Sequence, residues 1–155
     1  PSLVPGPDSE ALASHVQLLD EFLFQEHQKG QLKLPLQKIS QEKIWVHGHC
    51  HQKAANATGS TLGILKTIPE LEVELIPSSC CGMAGSFGYE SENYEISMKM
   101  AELSLLPKIR TLDQNHGIVA CGTSCRQQIQ HGSGKPAMHT AQILRQAISD
   151  ASSIN

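Results

Sequence analysis

Residues 44–53 read IWVHGHCHQK: an apolar triplet, Ile44, Trp45 and Val46, runs directly into a histidine- and cysteine-rich exit. A short apolar run bounded by such a break reads as a buried strand. The same design recurs twice downstream. Leu71, Val73 and Leu75 alternate with Glu72 and Glu74, stop at Pro77 and deliver SSCCG at 78–82, the period of a strand with one wetter face. Ile118, Val119 and Ala120 then run into CGTSC at 121–125. Amphipathic segments separate the three strands, and strand–helix alternation predicts an α/β fold, a small mainly parallel sheet with flanking helices. In such sheets ligands gather beyond the carboxyl ends of the strands. Cys50, Cys80, Cys81, Cys121 and Cys125 each follow a predicted strand, so all five thiols are expected at one edge.

The helices read from the same periodicity. Val16, Leu19, Phe22 and Leu23 predict one helix over 14–29 with Gly30 as its stop, and Leu62, Leu65 and Ile68 a short one ending near Pro69. Ile96, Met100, Leu103 and Leu106 predict a longer helix, kinked or restarted at Pro107. Thr123 or Ser124 is the expected cap of a helix carrying Arg126 to Gln130 and stopping at Gly132, before a loop HGSGKP. Thr140 is the expected cap of a last helix that buries Ile143, Leu144, Ala147 and Ile148. Between them, GMAGSFGYE at 82–90 reads as a glycine-punctuated loop anchored by Phe87 and Tyr89. No internal repeat and no low-complexity run is visible.

With 155 residues, 39% of them hydrophobic, the chain suits one compact domain. Twelve Lys and Arg do not outnumber fifteen Asp and Glu, so the basic footprint of a nucleic-acid or anionic-membrane binder is missing. No apolar run approaches the length of a transmembrane segment, and the opening PSLVPGPDSE lacks the pattern of a secretion signal. A cytoplasmic location is expected. The start at Pro1, within a Pro- and Ser-rich stretch, suggests a piece of a longer protein.

Five Cys and eight His are many for such a chain. An odd count, with Cys80 and Cys81 adjacent, suits metal or redox chemistry better than a disulfide framework. Thiolates are soft ligands for iron–sulfur clusters, zinc and Cu(I). Cys125 at a predicted helix N-terminus is placed where the dipole favours a thiolate, and Gly82 lets backbone N–H groups approach sulfur. His47, His49 and His51 alternate around Cys50; on an extended segment they share one face, opposite Cys50. His49 and His51, which flank Cys50, are the preferred candidates for a ligand or a hydrogen-bond donor to sulfur. His139 is expected to cap a helix or meet the same edge, as are Lys53 and Lys135 to lie near it. Two other readings stand beside the cluster: a structural zinc–thiolate module, and a Cys50 nucleophile with His49 or His51 as base. Gly82, Gly85 and Gly88 do not have the spacing of a dinucleotide loop.

HGHCHQKA, CCGMAGSFGYE and GTSCRQQI together resemble the CCG, or cysteine-rich, domain. That domain occurs in heterodisulfide reductases, in iron–sulfur subunits of glycolate and lactate oxidases, and in large FAD-linked oxidases. The likeness covers residues 43 to 145 and is strongest to the C-terminal iron–sulfur part of FAD-dependent 2-hydroxyacid dehydrogenases. The chain is thus expected to divide into the N-terminal helix and connector read above, over 1–42, and a cysteine-rich domain of this type over 43–155. The likeness implies a four-iron cluster on Cys50, Cys80, Cys81, Cys121 and Cys125, cubane or non-cubane, with zinc in its place in some relatives. The family ends its motif in Cys-x2-Cys, whereas this chain has Cys121-x3-Cys125, with Gly122 where the family's cysteine stands. Cys121 is therefore the ligand in doubt, and a cubane on four of the five cysteines the natural variant. The resemblance further implies a flavin-containing dehydrogenase part elsewhere, an unnamed electron acceptor, and no catalysis by this segment alone. Emptied of metal in air, neighbouring thiols such as Cys80 or Cys81 and another of the set are expected to form a disulfide.

Overall fold

The computed structural model describes residues 3–148; the outermost residues of the expected 1–42 and 43–155 segments lie outside that range. Three parallel strands form the sheet, β1 (Lys43–His47), β2 (Glu72–Leu75) and β3 (His116–Ala120), in the order β2-β1-β3. Trp45 stands opposite Glu74 on one side and Ile118 on the other. The α/β expectation therefore holds, with β1 central.

Strand parity sorts the core into two layers. Ile44, Val46, Val73 and Val119 point to one face and pack with Ile64, Leu65 and Ile143. Those partners come from α4 (Thr58–Leu65) and α8 (Thr140–Ala147). Ile76, Ile118 and Ala120 lie in the other layer with Leu105, Ile109 and Ile129, from α6 (Leu105–Arg110) and α7 (Thr123–Ser133). Leu75, expected inside, is 37% exposed. It ends the edge strand β2, and the neighbouring Ile76, whose N–H donates to the Val46 carbonyl, fills the opposite layer instead.

Several helix boundaries differ from expectation for local reasons. The single helix over 14–29 is two, α1 (Pro7–His15) and α2 (Leu19–Gln28). Val16 is extended and 68% exposed, and the Glu21 carboxylate accepts the Leu18 N–H at 2.9 Å, starting α2 afresh. α2 lies across α4, where Gly63 permits close approach: a Cβ there would stand 2.4 Å from the Phe24 ring. A short α3 (Cys50–Ala54) follows β1, and two 3-10 turns, Phe87–Tyr89 and Ser91–Asn93, occupy the glycine-rich loop. The helix expected to kink at Pro107 breaks earlier, between α5 (Tyr94–Glu102) and α6. A proline ring clashes with the carbonyl four residues back, which is that of Leu103, so Pro107 sits in the first turn of a new helix. α7 is capped by Gly122 rather than Thr123 or Ser124, and ends at left-handed Gly134 rather than Gly132. α8 is capped by His139, not Thr140, and Ile148 lies beyond it, 38% exposed, in a bridge to Leu36.

Candidate metal centre

Each strand hands its chain to one side of the same edge. β1 ends in His47, and His49 caps α3 through its Nδ1, which accepts the His51 N–H at 3.2 Å. Cys50 is thus the first residue of a helix, so the alternation expected for an extended HGHCH stops at His49. After β2 the segment carrying Ser78 to Cys81 is pinned from both flanks. Lys53 Nζ donates to the Ser78 and Ser79 carbonyls, the latter at 3.0 Å, and the Ser79 N–H donates to Ser104 Oγ at 3.1 Å. Gly82 then takes φ 90°, and a Cβ there would stand 2.1 Å from the Ser97 carbonyl oxygen. Only glycine fits such a turn. Its N–H donates to Cys80 Sγ at 3.3 Å.

Cys81 and Cys125 are buried side by side with their sulfurs 3.2 Å apart. His47 joins them: one ligand atom from each of His47, Cys81 and Cys125 lies within 4.8 Å of the others. Cys50 and Cys80 stand next to each other at the same edge, close enough to Cys125 for their charges to raise its pKa. Cys50 is exposed and Cys80 partly so, which makes the group open to solvent on one flank. All five cysteines are free.

The electrostatics divide the thiols. Cys81 is brought down to about 4, first by the Cys125 thiol against it, then by His47 and the Met83 backbone N–H, while burial opposes. Cys125 is driven up, first by that same contact with Cys81 and then by burial. The pair therefore titrates as a unit, with Cys81 the thiolate and Cys125 keeping the proton. A helix N-terminus favours an anion at Cys125, but the neighbouring thiolate outweighs it. Burial, then Cys80, pushes Cys50 up.

Cys121 faces elsewhere. Its thiol donates to Asp20 Oδ2 at 3.3 Å and stands 3.3 Å from Thr140 Oγ1. Burial raises it first, and the Asp20 carboxylate adds to the rise. Asp20, only 3% exposed, also accepts Thr61 Oγ1 at 2.6 Å and Thr140 Oγ1 at 3.1 Å. This network borders an open cleft of about 480 Å³ that His49, His51 and His139 also line. His139 is occupied in capping: its Nδ1 accepts the Ala141 N–H at 3.1 Å. Lys135 lies at the opposite edge, donating to the Leu112 carbonyl beside the start of β3. Tyr89 does anchor its loop, donating to Gln127 Oε1. For a Cys50 nucleophile the geometry offers little, since His49 Nδ1 is committed to the His51 N–H and the thiol is raised.

Two residues central to this arrangement do not stand out in the sequence. Asp20 looks like a solvated acid on an amphipathic helix, and only its three distant partners reveal its place. His47 is grouped by its spacing with His49 and His51, yet it is 1% exposed. The signal that separates it is parity: His47 follows Trp45 by two positions and so shares the face that meets α7.

No protein-family model matches the chain, and no solved structure matches it significantly. Curated relatives do. The chain is 29% identical over 143 residues to one subunit of the anaerobic glycerol-3-phosphate dehydrogenase of Escherichia coli K12, covering 91% of this chain and 35% of that protein. It is 32% identical over 116 residues to the D-2-hydroxyglutarate dehydrogenase of the same organism, covering 74% of this chain and 11% of the relative. The enzyme of that name from Pantoea ananatis is 32% identical over 136 residues, covering 86% and 13%. The chain thus spans about a third of the first relative and roughly a tenth of the others. Among the described residues no helix is long and apolar enough to cross a membrane. The chain is homologous to parts of both kinds of dehydrogenase, which fits a CCG-type cysteine-rich domain of the FAD-linked 2-hydroxyacid oxidoreductases.

Proposed function

We propose that this chain is the iron–sulfur electron-transfer part of an FAD-linked oxidoreductase acting on a 2-hydroxy acid, working in the cytoplasm beside a flavin-containing dehydrogenase part of the same or a partner chain. The observation that carries the reading is that three strand exits bring Cys81 against Cys125 and set Cys50 beside Cys80 within electrostatic reach of them, at one partly exposed edge. The names of the relatives, dehydrogenases of a glycerol phosphate and of a 2-hydroxy acid, support it.

The residues fit the group. Sulfur donors suit iron, Cys81 is already poised as a thiolate, and the N–H groups of Gly82 and Met83 offer hydrogen bonds to sulfur. When bound, a four-iron cluster supplies one-electron storage and transfer at a potential set by its ligands, hydrogen bonds and exposure. On this reading Cys50, Cys80, Cys81 and Cys125 hold it, and Cys121, turned to Asp20 and Thr140, is the fifth cysteine left aside in a cubane. Lys53 and Ser104 fix the loop that presents Cys80 and Cys81, and the protein body on the other flank keeps water from Cys81 and Cys125. On this reading residues 43–155 are the unit that carries the site, and α2, from the 1–42 segment, packs across α4.

One observation favours a second reading. The compact His47–Cys81–Cys125 group has the donor types of a structural zinc site. Iron, acid-labile sulfide and zinc per chain, measured on protein purified or reconstituted without oxygen, separate the two. Roughly four iron and four sulfide support electron transfer. About one zinc without sulfide refutes it and moves all redox chemistry elsewhere.

A further inference from the structure

His47 is a buried side chain with one ring nitrogen satisfied and the other not. Its Nδ1 lies 2.8 Å from Ser78 Oγ, and that hydroxyl donates in turn to the Ile76 carbonyl at 3.4 Å. Which of the two donates depends on the ring tautomer; when the Ser78 proton goes to Ile76, Nδ1–H donates to Ser78 Oγ and the lone pair that a metal takes is on Nε2. That atom is fully buried and has no hydrogen-bond partner, a condition native interiors avoid. One ring nitrogen of His47 and the sulfurs of Cys81 and Cys125 lie within 4.8 Å of one another, and with Nδ1 held at Ser78 the nitrogen left for that group is Nε2. Bonds of about 2.0–2.3 Å to one tetrahedral ion set neighbouring ligands roughly 3.5 Å apart, so small movements close the group around a metal.

We infer that His47 is itself a ligand of the metal centre through Nε2, which makes the site a mixed thiolate–imidazole one, with Ser78 as the residue that orients the ring. The inference rests on the reading that this edge holds a metal, but not on which metal. A histidine that ligates through one nitrogen characteristically donates from the other to an oxygen, which is the Ser78 arrangement. Where imidazole replaces thiolate on an iron–sulfur centre the potential rises, so a cluster held by His47, Cys81, Cys125 and one of Cys50 and Cys80, the fourth thiol being displaced, is a better electron acceptor than the all-thiolate one. His49 is excluded from the same role by its cap: Nδ1 accepts a backbone N–H, so the proton sits on Nε2.

The test uses the ¹⁵N-labelled chain, purified without oxygen, stripped of metal and titrated with Zn²⁺ alone, with the histidine ring nitrogens followed by long-range ¹H–¹⁵N correlation. Expected is a shift of the His47 Nε2 that saturates at one zinc per chain, with Nδ1 protonated in the zinc-bound form. His47→Gln lowers zinc affinity by at least about 100-fold, Ser78→Ala by about 10-fold, and His51→Ala by less than about 2-fold. If His47→Gln does not fold, the Ser78→Ala titration and the wild-type spectrum decide. Zinc binding that leaves the His47 nitrogens unmoved, an Nε2–H that persists in the zinc-bound chain, or no zinc uptake overturns the assignment. Iron and sulfide assayed in parallel keep the two claims apart. A zinc-shifted His47 without iron–sulfide uptake refutes electron transfer alone, and iron–sulfide uptake with an unmoved His47 refutes this inference alone.

Discussion

Replacing Asp20 tests whether a buried carboxylate joins the N-terminal segment to the edge that carries the cysteines. Asp20→Ala removes the acceptor of two hydroxyls, Thr61 Oγ1 at 2.6 Å and Thr140 Oγ1 at 3.1 Å, and of the Cys121 thiol at 3.3 Å. Thr61 and Thr140 are 1% and 0% exposed, so their hydroxyls lose a buried acceptor. Hydrogen bonds to a charged group contribute about 1.5–3 kcal/mol each, which sets roughly 3–6 kcal/mol for the two hydroxyls. Thr61 lies in α4 and can turn its hydroxyl to the carbonyl one helical turn back, so the lower end applies. About 3 kcal/mol is expected for Asp20→Ala, a fall in Tm of roughly 6–12 °C for a chain of this size. Asp20→Asn keeps one acceptor oxygen and is expected to cost about half as much. The assay is urea unfolding followed by circular dichroism under anaerobic conditions. A loss below about 1 kcal/mol for Ala, or an Asn variant no better than Ala, refutes the reasoning.

Three further outcomes follow from the site. Cys81→Ala removes most bound iron while leaving the chain soluble, whereas Cys121→Ser retains it; equal iron in both variants contradicts the division of the thiols. Zinc affinity of the stripped chain falls as pH is lowered from 8 to 6, by about tenfold per pH unit for each proton displaced. The sign is set by Cys125, whose raised pKa means it must surrender a proton to bind while Cys81, at about 4, is already ionised; a flat profile contradicts it. Gly82→Ala meets both the φ of 90° and the Ser97 carbonyl, at a cost of about 2 kcal/mol or more, read as lost stability together with lost metal; a neutral substitution contradicts the turn's role.

Much of the architecture was legible in order along the chain. Hydrophobic period placed β1, β2 and β3 within a residue or two, and the rule that parallel strands share one carboxyl edge put every cysteine there. Both are local or topological regularities that one sequence expresses in full. Helix ends were less legible, because caps depend on single contacts: Pro107 acts on a carbonyl four residues back, and Glu21 restarts α2 by accepting the Leu18 N–H.

By itself the sequence determined the fold class, the sheet edge and the set of five thiols. Only tertiary packing decided which of them meet. Cys121 and Cys125 leave the same strand, yet one turns to Asp20, which lies 101 positions earlier, and the other to Cys81. His47, not His49 or His51, enters the buried group because strand pairing carries its pleat onto the layer of α7, while the cap at His49 ends the alternation. Side-chain direction at a strand exit is set by helices that arrive from elsewhere in the chain, and no local period records their arrival.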